Sequence, residues 1–498
     1  MGNDSIGQGF AGADTGADTG VARRSVLKTG AAFVAAVAAL SVVETAALAA
    51  TAARPHIIYI LADDLGWQDI GFRGSDIATP NIDKLAKTGR LLDEFYAQPM
   101  CTPTRAAIMT GRYPLRYGLQ MGVIPSGADY GLATDEVTLP QTLKQSGYYN
   151  AIVGKWHLGH AKKEYWPNQR GFDYAYGPLI GEIDHFKHSS HGVKDWFRNN
   201  VPLDETGYDT ELFGNDAVRL INGYDQKAPL FLYLAFTAPH TPYQAPQSYL
   251  DRYKHIADPG RRAYAAQITA MDDQIGRVLA ALDKSGMRDN ALIIFHSDNG
   301  GTRSKMFAGE GAVSGELPPS NGPFRDGKGT LYEGGVRVGA VVNWPGRIAP
   351  GSSASGIFHA VDMLPTLAAV AGASTARSKP LDGVNVWPAI ADGKPSPRTD
   401  VVINVESTQG SVRDGDWKLV WLAPLPPQVQ LFNLASDRSE KHDVAAANPD
   451  KVKALQARVV ELATAMVPPL FAMEAIRATL ASPPNFGTRP AHDASGED

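Results

Sequence analysis

The sequence predicts an α/β fold built around a mostly parallel β-sheet. Three continuous apolar runs of strand length support this prediction, at residues 55–61, 229–236 and 291–296, and each ends in polar residues. Strands of a parallel sheet covered on both faces are apolar throughout, whereas strands with one wet face alternate polar and apolar residues. Segments with helical spacing of apolar residues, the longest at 262–282, would cover the sheet.

The composition is typical of a globular protein with a large buried core. The chain has 498 residues, of which 44% are hydrophobic and 20% charged, and its length favours two domains. The formal net charge is −5 and no basic block is present, which argues against a nucleic-acid surface as the main purpose. The boundaries that we predict are a leader at 1–53, a main domain at 54–397, a C-terminal α+β subdomain at 398–482 and a disordered tail at 483–498.

The first 50 residues resemble a twin-arginine export signal. Arg23 and Arg24 precede an apolar run at 30–40 and a small-x-small cleavage site, with cleavage expected near residues 49–53. The signal predicts a periplasmic or secreted protein exported by the twin-arginine machinery. A single membrane anchor is the alternative, although the apolar stretch is short and Glu44 interrupts it.

The first predicted strand, residues 55–61, leads into Asp63 and Asp64, two adjacent acids at its carboxyl end. Open α/β sheets bind their ligands at the carboxyl ends of the strands, so this pair lies where a site is expected. Taken alone, the same residues would also suit a solvated turn. A packing helix follows, with helical spacing of apolar residues over 79–86 and Gly89 as its stop.

The only cysteine of the chain, Cys101, precedes another predicted helix. Thr102 followed by Pro103 is typical of an N-cap and a first helical residue, so we expect the helix to begin just after the thiol. Cys101 then lies at the positive end of the helix dipole, with Arg105 one turn further on, and this environment suits an anionic substrate. A single cysteine excludes an internal disulfide, although exported proteins often use disulfides.

Basic side chains follow the next two predicted strands. After a short helix at 138–143, a strand delivers Lys155 and His157, whose spacing places both on one side of an extended chain. Each alone would more often be a surface residue, but flanking glycines permit a close backbone approach. The apolar run at 229–236 leads to His240 in the same way.

The third apolar run ends in Asp298 and Asn299 beside two glycines. The Gly/Ser/Pro-rich stretch at 302–320 is predicted to form a mobile loop, and Lys328 follows it. The remaining elements that we predict are a helix at 362–371, short strands at 401–405, 412–420 and 430–434, and a helix at 450–467.

Acids and an amide at two separate strand ends predict a cation site. Asp63 and Asp64 follow one strand, and Asp298 and Asn299 follow another. Oxygen ligands of this kind suit Ca²⁺ or Mg²⁺, whereas zinc would require clustered histidines or cysteines. The side chains able to surround a tetrahedral oxyanion from the other sides are Arg105, Lys155, His157, His240 and Lys328.

Several motifs in a fixed order give a specific resemblance. They are CTPTR at 101–105, followed by TGR at 110–112, then GKWHLG at 154–159, AFTAPHTP around His240 and IIFHSDNGG ending at Gly301. With these motifs the chain resembles the type I sulfatases of the alkaline phosphatase superfamily over nearly its whole mature length. MTGRYPLRYGLQ, RRAYAAQITAMDDQIG and LFNLASD are most similar to the arylsulfatase B, or N-acetylgalactosamine-4-sulfatase, type. The cluster at 185–191 and the length of the 302–320 loop do not follow that type.

The resemblance implies an alkaline-phosphatase-like architecture. A large mixed, mostly parallel sheet would be sandwiched by helices in a catalytic sulfatase domain at 54–397, with an antiparallel sheet in the smaller C-terminal α+β domain. The implied reaction is hydrolysis of aryl or carbohydrate sulfate monoesters to an alcohol or phenol plus inorganic sulfate.

The resemblance also implies that a separate maturation enzyme oxidises Cys101 to Cα-formylglycine. One hydroxyl of the aldehyde hydrate would attack sulfur, and His157 would then take the proton of the other hydroxyl to expel sulfate. A serine would serve the first step only, because sulfate monoesters resist the hydrolysis that the second step requires.

Further roles come from the same resemblance. Calcium, rather than magnesium, would be bound by Asp63, Asp64, Asp298, Asn299 and the modified residue 101. Arg105 and Lys155 would hold the hydrate, while His240 and Lys328 would grip the sulfate, one of them protonating the leaving oxygen.

Two other functions stay open from the sequence. One is a phosphodiesterase or phosphonate monoester hydrolase of the same superfamily. The other is a non-catalytic binder of sulfated glycans that retains the fold without turnover.

Overall fold

The computed structural model describes residues 54–307, 316–423 and 425–481, which belong to one structural unit. The predicted leader at 1–53 and tail at 483–498 lie outside the described residues, as do residues 308–315 of the predicted loop. None of the helices within the described ranges is both long and apolar enough to cross a bilayer.

The strands are short except near the centre of the fold. In chain order they are β1 His56–Ala62, β2 Arg90–Leu92, β3 Phe95–Tyr96, β4 Tyr149–Gly154, β5 Tyr174–Gly177, β6 Ser189–Ser190, β7 Val193–Lys194, β8 Phe197–Arg198, β9 Val201–Pro202, β10 Leu230–Ala235, β11 Ala291–Ser297, β12 Arg337–Val338, β13 Ala340–Asn343, β14 Ser352–Ala354, β15 Phe358–His359, β16 Asp400–Ile403, β17 Gln409–Asp414, β18 Trp417–Leu422 and β19 Gln428–Asn433.

The helices vary more in length. They are α1 Pro80–Thr88, α2 Cys101–Thr110, α3 Leu139–Lys144, α4 Asp209–Asn222, α5 Gln247–Leu250, α6 Pro259–Lys284, α7 Glu333–Val336, α8 Met363–Ala371, α9 Trp387–Asp392, α10 Pro449–Thr464 and α11 Leu470–Ala481.

A ten-stranded mixed sheet organises the fold, with the order β14-β2-β13-β11-β1-β10-β4-β5-β8-β9. The five neighbours β11, β1, β10, β4 and β5 are parallel, and the antiparallel pairings lie towards the two edges. The three apolar runs of the sequence are β1, β10 and β11, which are adjacent. The predicted mixed, mostly parallel sheet is confirmed.

Side chains of β1 alternate between two hydrophobic cores. Ile57, Tyr59 and Leu61 belong to the core on one face of the sheet, and Ile58 and Ile60 belong to the core on the other. Helices α2, α3 and α8 contribute to the first core, while α1, α4 and α6 contribute to the second. Because both faces of the sheet are covered, its central strands are apolar throughout.

A separate antiparallel sheet, β16-β17-β18-β19, follows near the C-terminus. The prediction of one strand at 412–420 was wrong, because the chain reverses at Gly415 and forms β17 and β18. Asp414 pairs directly with Trp417, so the connection is a two-residue hairpin loop, and Gly415 adopts φ +55° in it. The Gly415-Asp416 pair was the sequence signal for this turn.

The C-terminal sheet shares a core with the large sheet. Val402, Val412, Leu419 and Leu431 pack in the core that also contains the first face of β1, and α10 adds its apolar side chains there. The boundary between 54–397 and 398–482 stays a prediction, and the two parts bury hydrophobic surface together.

Candidate active site

Four parallel neighbours end at one edge of the sheet and bring the predicted site residues together. Asp63 and Asp64 follow β1, Lys155 follows β4, His240 follows β10, and Asp298 follows β11. Strands in the order β11-β1-β10-β4 place their carboxyl ends side by side, which is the usual location for ligands of an α/β sheet. All ten predicted residues lie at this edge and are buried.

One half of the site pairs two acids with two cations. The Arg105 guanidinium donates to Asp298 Oδ2 through Nη2 at 2.7 Å and Nε at 3.0 Å. Lys155 Nζ donates to Asp63 Oδ2, and Arg105 Nη2 lies 3.6 Å from that same oxygen. Arg105 Nη1 also donates to the Lys155 carbonyl at 3.1 Å. These ion pairs offset the cost of burying the charges and fix the carboxylate orientations.

The other half centres on Asp64. Lys328 Nζ lies 2.7 Å from Asp64 Oδ2 and 3.0 Å from His240 Nε2. Asn299 Nδ2 donates to Asp64 Oδ1 at 2.7 Å, and the Thr302 hydroxyl donates to Oδ2 at 2.9 Å. Burial would raise the pKa of Asp64, but Lys328 and then His240 hold that pKa below its ordinary value. Asp64 is therefore a carboxylate that accepts from three donors, Lys328, Asn299 and Thr302.

His240 is neutral in this arrangement. Its Nδ1 lies 2.7 Å from the Thr241 carbonyl, so Nδ1 bears the ring proton and Nε2 accepts from Lys328. Burial, followed by repulsion from Lys328, lowers the pKa of His240 to about 4. The pKa of Lys328 lies above its usual value, because Asp64 outweighs the effect of burial. Lys328 thus carries the proton of this pair.

Helix α2 begins two residues earlier than predicted. Cys101 is its first residue and Met100 is the N-cap, so the assignment of Thr102 as N-cap was wrong. The Thr102 hydroxyl instead donates to the His157 carbonyl at 3.1 Å, which removes it from any capping role. Pro103 is tolerated because the first-turn N–H groups have no intrahelical partner. Cys101 still lies at the positive end of the helix, as expected.

The thiol of Cys101 faces the acids. Cys101 Sγ lies 3.3 Å from Asp63 Oδ1, as a donor. Burial, followed by the charges of Asp298 and Asp63, raises the pKa of this thiol well above its ordinary value. The nucleophilic form of a cysteine is the thiolate, so the unmodified residue is a poor nucleophile here.

The site fits a hard divalent cation. Ligand atoms of Asp63, Asp64, Cys101 and His240 all lie within 4.8 Å of one another. Asn299 Oδ1 is buried and has no hydrogen-bond partner among the described residues, although its amide nitrogen is satisfied. An unpaired buried oxygen beside carboxylates costs free energy unless a cation or a water binds it. Asp63, Asp64 and Asn299 offer oxygen donors beside the Cys101 sulfur and a His240 nitrogen, and carboxylate and amide oxygens suit Ca²⁺ or Mg²⁺.

A cavity of about 250 Å³ opens above the site and exposes its reactive groups to ligand. The catalytic candidates that line it are Cys101, His157, His240 and Lys328, and its other walls include Val123, Ile124, Pro125, Ser126, Glu182, Ser190, His191, Met306 and Phe307.

His157 is held by backbone on two sides. Its Nε2 lies 3.2 Å from the Ile124 carbonyl and donates to it, so Nδ1 is the unprotonated nitrogen, and Nδ1 has no partner among the described residues. A Cβ at Gly181 would lie 2.2 Å from His157 Cε1, so the chain at 181 touches the ring. Burial, then Lys155 and Arg105, lower the pKa of His157 well below its ordinary value. The imidazole is a neutral base in the wall of the cavity.

The sequence left the role of the histidine cluster at 185–191 undecided, and the structure divides it. His185 is buried, with Nδ1 2.9 Å from Asp209 Oδ2 and Nε2 3.1 Å from the His240 carbonyl. His188 stacks on Trp196 with ring centroids 4.1 Å apart. His191 alone of the three lines the cavity. No motif marked the cavity walls, whereas Thr302 follows the IIFHSDNGG motif directly and was missed.

Comparisons with known proteins agree with this geometry. The family model described as Sulfatase matches residues 55–373. Arylsulfatase J of Mus musculus is 35% identical over 470 residues, which cover 83% of this chain and 77% of that protein. N-acetylgalactosamine-6-sulfatase of Mus musculus is 34% identical over 362 residues, which cover 68% of this chain and 67% of that protein.

Solved structures share the fold. The chain superimposes on Ps i-CgsB in complex with k-i-k-neocarrahexaose with a TM-score of 0.77 and 33% identity, covering 87% of this chain and 98% of that one. A phosphonate monoester hydrolase of Agrobacterium radiobacter gives a TM-score of 0.59 at 20% identity, over 82% of this chain and 95% of that one, and shows the fold alone. The finer resemblance to arylsulfatase B stays a prediction.

Proposed function

Because the chain belongs to the sulfatase family and hydrolyses sulfate esters, we propose that it acts on sulfated carbohydrates through a formylglycine made from Cys101. The observation that carries this proposal is the place of Cys101. It begins α2 between buried acids and cations, and it faces the same cavity as His157, His240 and Lys328.

The carbohydrate assignment has two supports. The outer walls of the cavity carry polar groups able to bond sugar hydroxyls, among them Ser126, Glu182, Ser190 and His191. Ps i-CgsB, which has the same fold and 33% identity, is described with k-i-k-neocarrahexaose. Aryl sulfates would enter the same cavity against Val123 and Phe307 and serve as convenient assay substrates.

Conversion of Cys101 to formylglycine would replace the poorly nucleophilic thiol by a reactive group. A separate maturation enzyme would oxidise CH₂SH to the aldehyde, and water would add to give two geminal hydroxyls. One hydroxyl passes its proton to the adjacent Asp63 carboxylate, and its oxygen attacks sulfur while the ester S–O bond breaks, so sulfate is left on residue 101 and the alcohol departs. His157 Nδ1 then takes the proton of the second hydroxyl, the carbonyl re-forms, and the bond from carbon to the sulfate oxygen breaks.

The basic side chains of the site would orient the acids, bind the sulfate and protonate the leaving oxygen. Arg105 and Lys155 fix Asp298 and Asp63, which keeps the acids oriented towards residue 101. Lys328 holds a proton and lies against His240 Nε2, so we assign to it the proton that reaches the leaving oxygen, with His240 as its partner. Both would contact sulfate oxygens, because both line the cavity beside Cys101.

A divalent cation, which we propose to be Ca²⁺, would be held by Asp63, Asp64, Asp298, Asn299 and residue 101. It would supply positive charge that polarises the sulfate and favours ionisation of the attacking hydroxyl. The unpartnered Asn299 Oδ1 is the feature of this chain that supports the assignment.

The decisive experiment combines mass and turnover. Intact-mass analysis of the peptide containing residue 101 from active protein should show exchange of CH₂SH for CHO, and Cys101→Ser and Cys101→Ala should lose turnover by about a thousandfold or more with the fold retained. Fully active protein with an unconverted thiol would refute the mechanism. Inactive protein with a native thiol would instead favour a non-catalytic binder of sulfated glycans.

A substrate panel tests the choice of ester. Catalytic efficiency is compared for 4-nitrophenyl sulfate, sulfated mono- and oligosaccharides, a phosphate diester and a phosphonate monoester. Higher catalytic efficiency on the phosphorus esters would contradict the choice of sulfate and favour a phosphodiesterase or phosphonate monoester hydrolase.

We also propose that the chain is exported by the twin-arginine route and acts in the periplasm or outside the cell. The supports are Arg23 and Arg24, the apolar run after them and the small-x-small site. Replacing both arginines by lysine should retain the protein in the cytoplasmic fraction; unchanged export would contradict the proposal.

A further inference from the structure

A second cavity, which we call the arginine cavity, lies outside the catalytic residues. Its volume is about 650 Å³, and it is lined by Trp67, Arg73, Asp93, Glu94, Arg337, Ser353, Ala354, Ser355, Gly356, Arg413, Asp416, Leu434, Ala435 and Arg438. It shares no lining residue with the cavity above Cys101. Its walls come from the segment that follows Asp63 and Asp64, from the turn between β2 and β3, and from the C-terminal sheet.

Four guanidinium groups surround this cavity, against three carboxylates. Arg337 and Arg413 are buried and both pair with Glu94, at 3.4 and 2.9 Å, and Arg337 also pairs with Glu333 at 3.3 Å. Arg73 pairs with Asp93 at 2.8 Å. Arg438 is exposed and makes no ion pair with any residue in the described part of the chain. The lining side chains carry four positive and three negative charges, and the exposed Arg438 is the one left to bind an anion.

Aromatic rings hold three of the guanidinium groups in place. Arg73 lies 4.3 Å from the ring centroid of Trp67, while Arg337 and Arg438 lie 5.0 and 5.6 Å from that of Phe324. Trp67 and Phe324 contact each other edge to face at 4.8 Å. Contact with a ring face leaves the N–H donors of a guanidinium group available for oxygen atoms. Arg337 uses its donors on the Asp93 carbonyl, Glu333 and Glu94, so the available donors are those of Arg73 and Arg438.

The cations also act on one another. Burial lowers the pKa of Arg73, and Asp93 opposes this effect, while Arg337 and Arg438 lower the pKa further. Like charges held this close are costly unless an anion joins them. Planar forks of N–H donors match tetrahedral oxyanions in geometry as well as in charge.

We propose that the arginine cavity is a second, non-catalytic binding site for a sulfate group of a sulfated carbohydrate, with Arg73 and Arg438 as its accessible donors. The choice of carbohydrate sulfate rests on the proposed function, whereas the preference for a tetrahedral oxyanion rests on the cavity itself. Binding there would raise affinity for multiply sulfated chains and leave the chemical step unchanged.

The variants are chosen to spare the fold. Arg73→Gln and Arg438→Gln leave no buried carboxylate unpaired, because Asp93 is 41% exposed and Arg438 has no ion pair among the described residues. Arg337 and Arg413 are buried with Glu94 and Glu333 and are left intact. Arg252→Gln, at a half-exposed arginine paired with Asp273 outside the cavity, is the matched control.

The test measures equilibrium binding by calorimetry in a Cys101→Ala background, so that turnover plays no part. The probes are sodium sulfate, a monosulfated monosaccharide and a sulfated hexasaccharide. We expect the Arg73→Gln/Arg438→Gln pair to weaken hexasaccharide binding by about tenfold, the loss of roughly one charged hydrogen bond, with the Arg252→Gln control unchanged. With Cys101 intact, the pair should keep kcat on 4-nitrophenyl sulfate within about twofold.

The outcomes distinguish a site for free sulfate from a site for the sulfate group of a carbohydrate. Weakening of both sulfate and hexasaccharide binding supports a site that recognises the sulfate group itself, and weakening of hexasaccharide binding alone supports one that also needs the sugar. Weakening of sodium sulfate binding alone would overturn the carbohydrate assignment, and equal binding by the double variant and the control would overturn the site. Failure of the proposed function would appear separately, as wild-type protein that releases no sulfate.

Discussion

Single residues set the chemistry of this protein through their surroundings. Cys101 is buried beside Asp63, where its thiol stays protonated, so the position is unsuited to cysteine catalysis and suited to a modified side chain. His157 is the reverse case, because burial and nearby cations keep its imidazole neutral and able to accept a proton.

His157→Gln should slow release of sulfate from residue 101 by about 10²- to 10⁴-fold, the usual worth of a general base. Because the first step needs no base at His157, sulfated protein should accumulate and be visible by intact mass after mixing with 4-nitrophenyl sulfate. His255→Gln, at an exposed histidine, is the control and should turn over normally. Normal turnover in the His157 variant would remove its assigned role.

Asn299→Ala tests the cation site without creating a buried unpaired charge, unlike Asp298→Ala, which would leave Arg105 without its partner. Calcium should raise the melting temperature of chelator-treated wild-type protein and restore its activity, with about 2.7 kcal/mol of stabilisation at 100 times Kd. In Asn299→Ala the calcium concentration needed should rise by about tenfold or more, since one oxygen ligand is lost. The exposed Asn222→Ala serves as control. Unchanged activity after chelation would refute the metal assignment.

At the scale of elements, the positions of the site residues depend on the ends of the parallel strands and on the segments that pack against those ends. The segment after β5 is held by Asp195, whose Oδ2 accepts the N–H groups of Leu179 and Ile180 at 2.8 Å each. The Leu179 carbonyl in turn accepts the His157 N–H at 3.0 Å. This segment brings Gly181 onto the imidazole and so fixes the base.

Gly181→Ala should therefore displace the His157 ring. The new Cβ would lie 2.2 Å from Cε1 and 2.4 Å from Nε2, so the ring must move and lose its bond to the Ile124 carbonyl. A shift of about 1 Å at a reacting group costs up to about a hundredfold, and we expect kcat to fall by at least tenfold with little change in melting temperature. Gly127→Ala, where a Cβ meets no atom within 4 Å, should keep wild-type kcat. Equal rates in the two variants would show that the ring adapts.

Over the whole molecule, buried ion pairs join the C-terminal sheet to the catalytic region. Lys418 of β18 lies 2.9 Å from Glu333 Oε1 of α7 and 2.8 Å from Glu440 Oε1, and all three are buried. Tyr96 of β3 donates to Glu333 Oε2 at 2.7 Å. The chain segment between Lys328 and α7 is thereby anchored to a sheet far along the sequence.

Lys418→Met should lower the free energy of unfolding by about 3–5 kcal/mol, because the buried Glu440 is left without a cation and the buried Glu333 keeps only Arg337. Adding Glu440→Gln should recover part of that loss by removing one of the charges. Denaturant unfolding of both variants, with the exposed Lys84→Met as a control expected within about 0.5 kcal/mol of wild type, checks the claim. A loss below about 1 kcal/mol would show that the network does not join the two parts.

The sequence alone determined the elements and the reaction class. Apolar runs at 55–61, 229–236 and 291–296 are buried on both faces, and this local property predicted the central strands. The motif order predicted which side chains would meet. At Thr102 a short-range signal was outweighed, because the hydroxyl binds the distant His157 carbonyl. At 412–420 a local turn signal was missed, and a hairpin at Gly415 divides the predicted strand in two.

Only the tertiary structure decided how the site residues face one another. Arg105 meets Asp298 across 193 positions of sequence. The motif that contains Asn299 does not reveal that its Oδ1 has no partner among the described residues, and the cavity walls and the arginine cavity belong to segments that carry no shared motif. Periodicity encodes whether a residue is buried, because burial depends on neighbours three or four positions away. Contacts between distant segments depend on strand order and register, which packing of the whole chain sets.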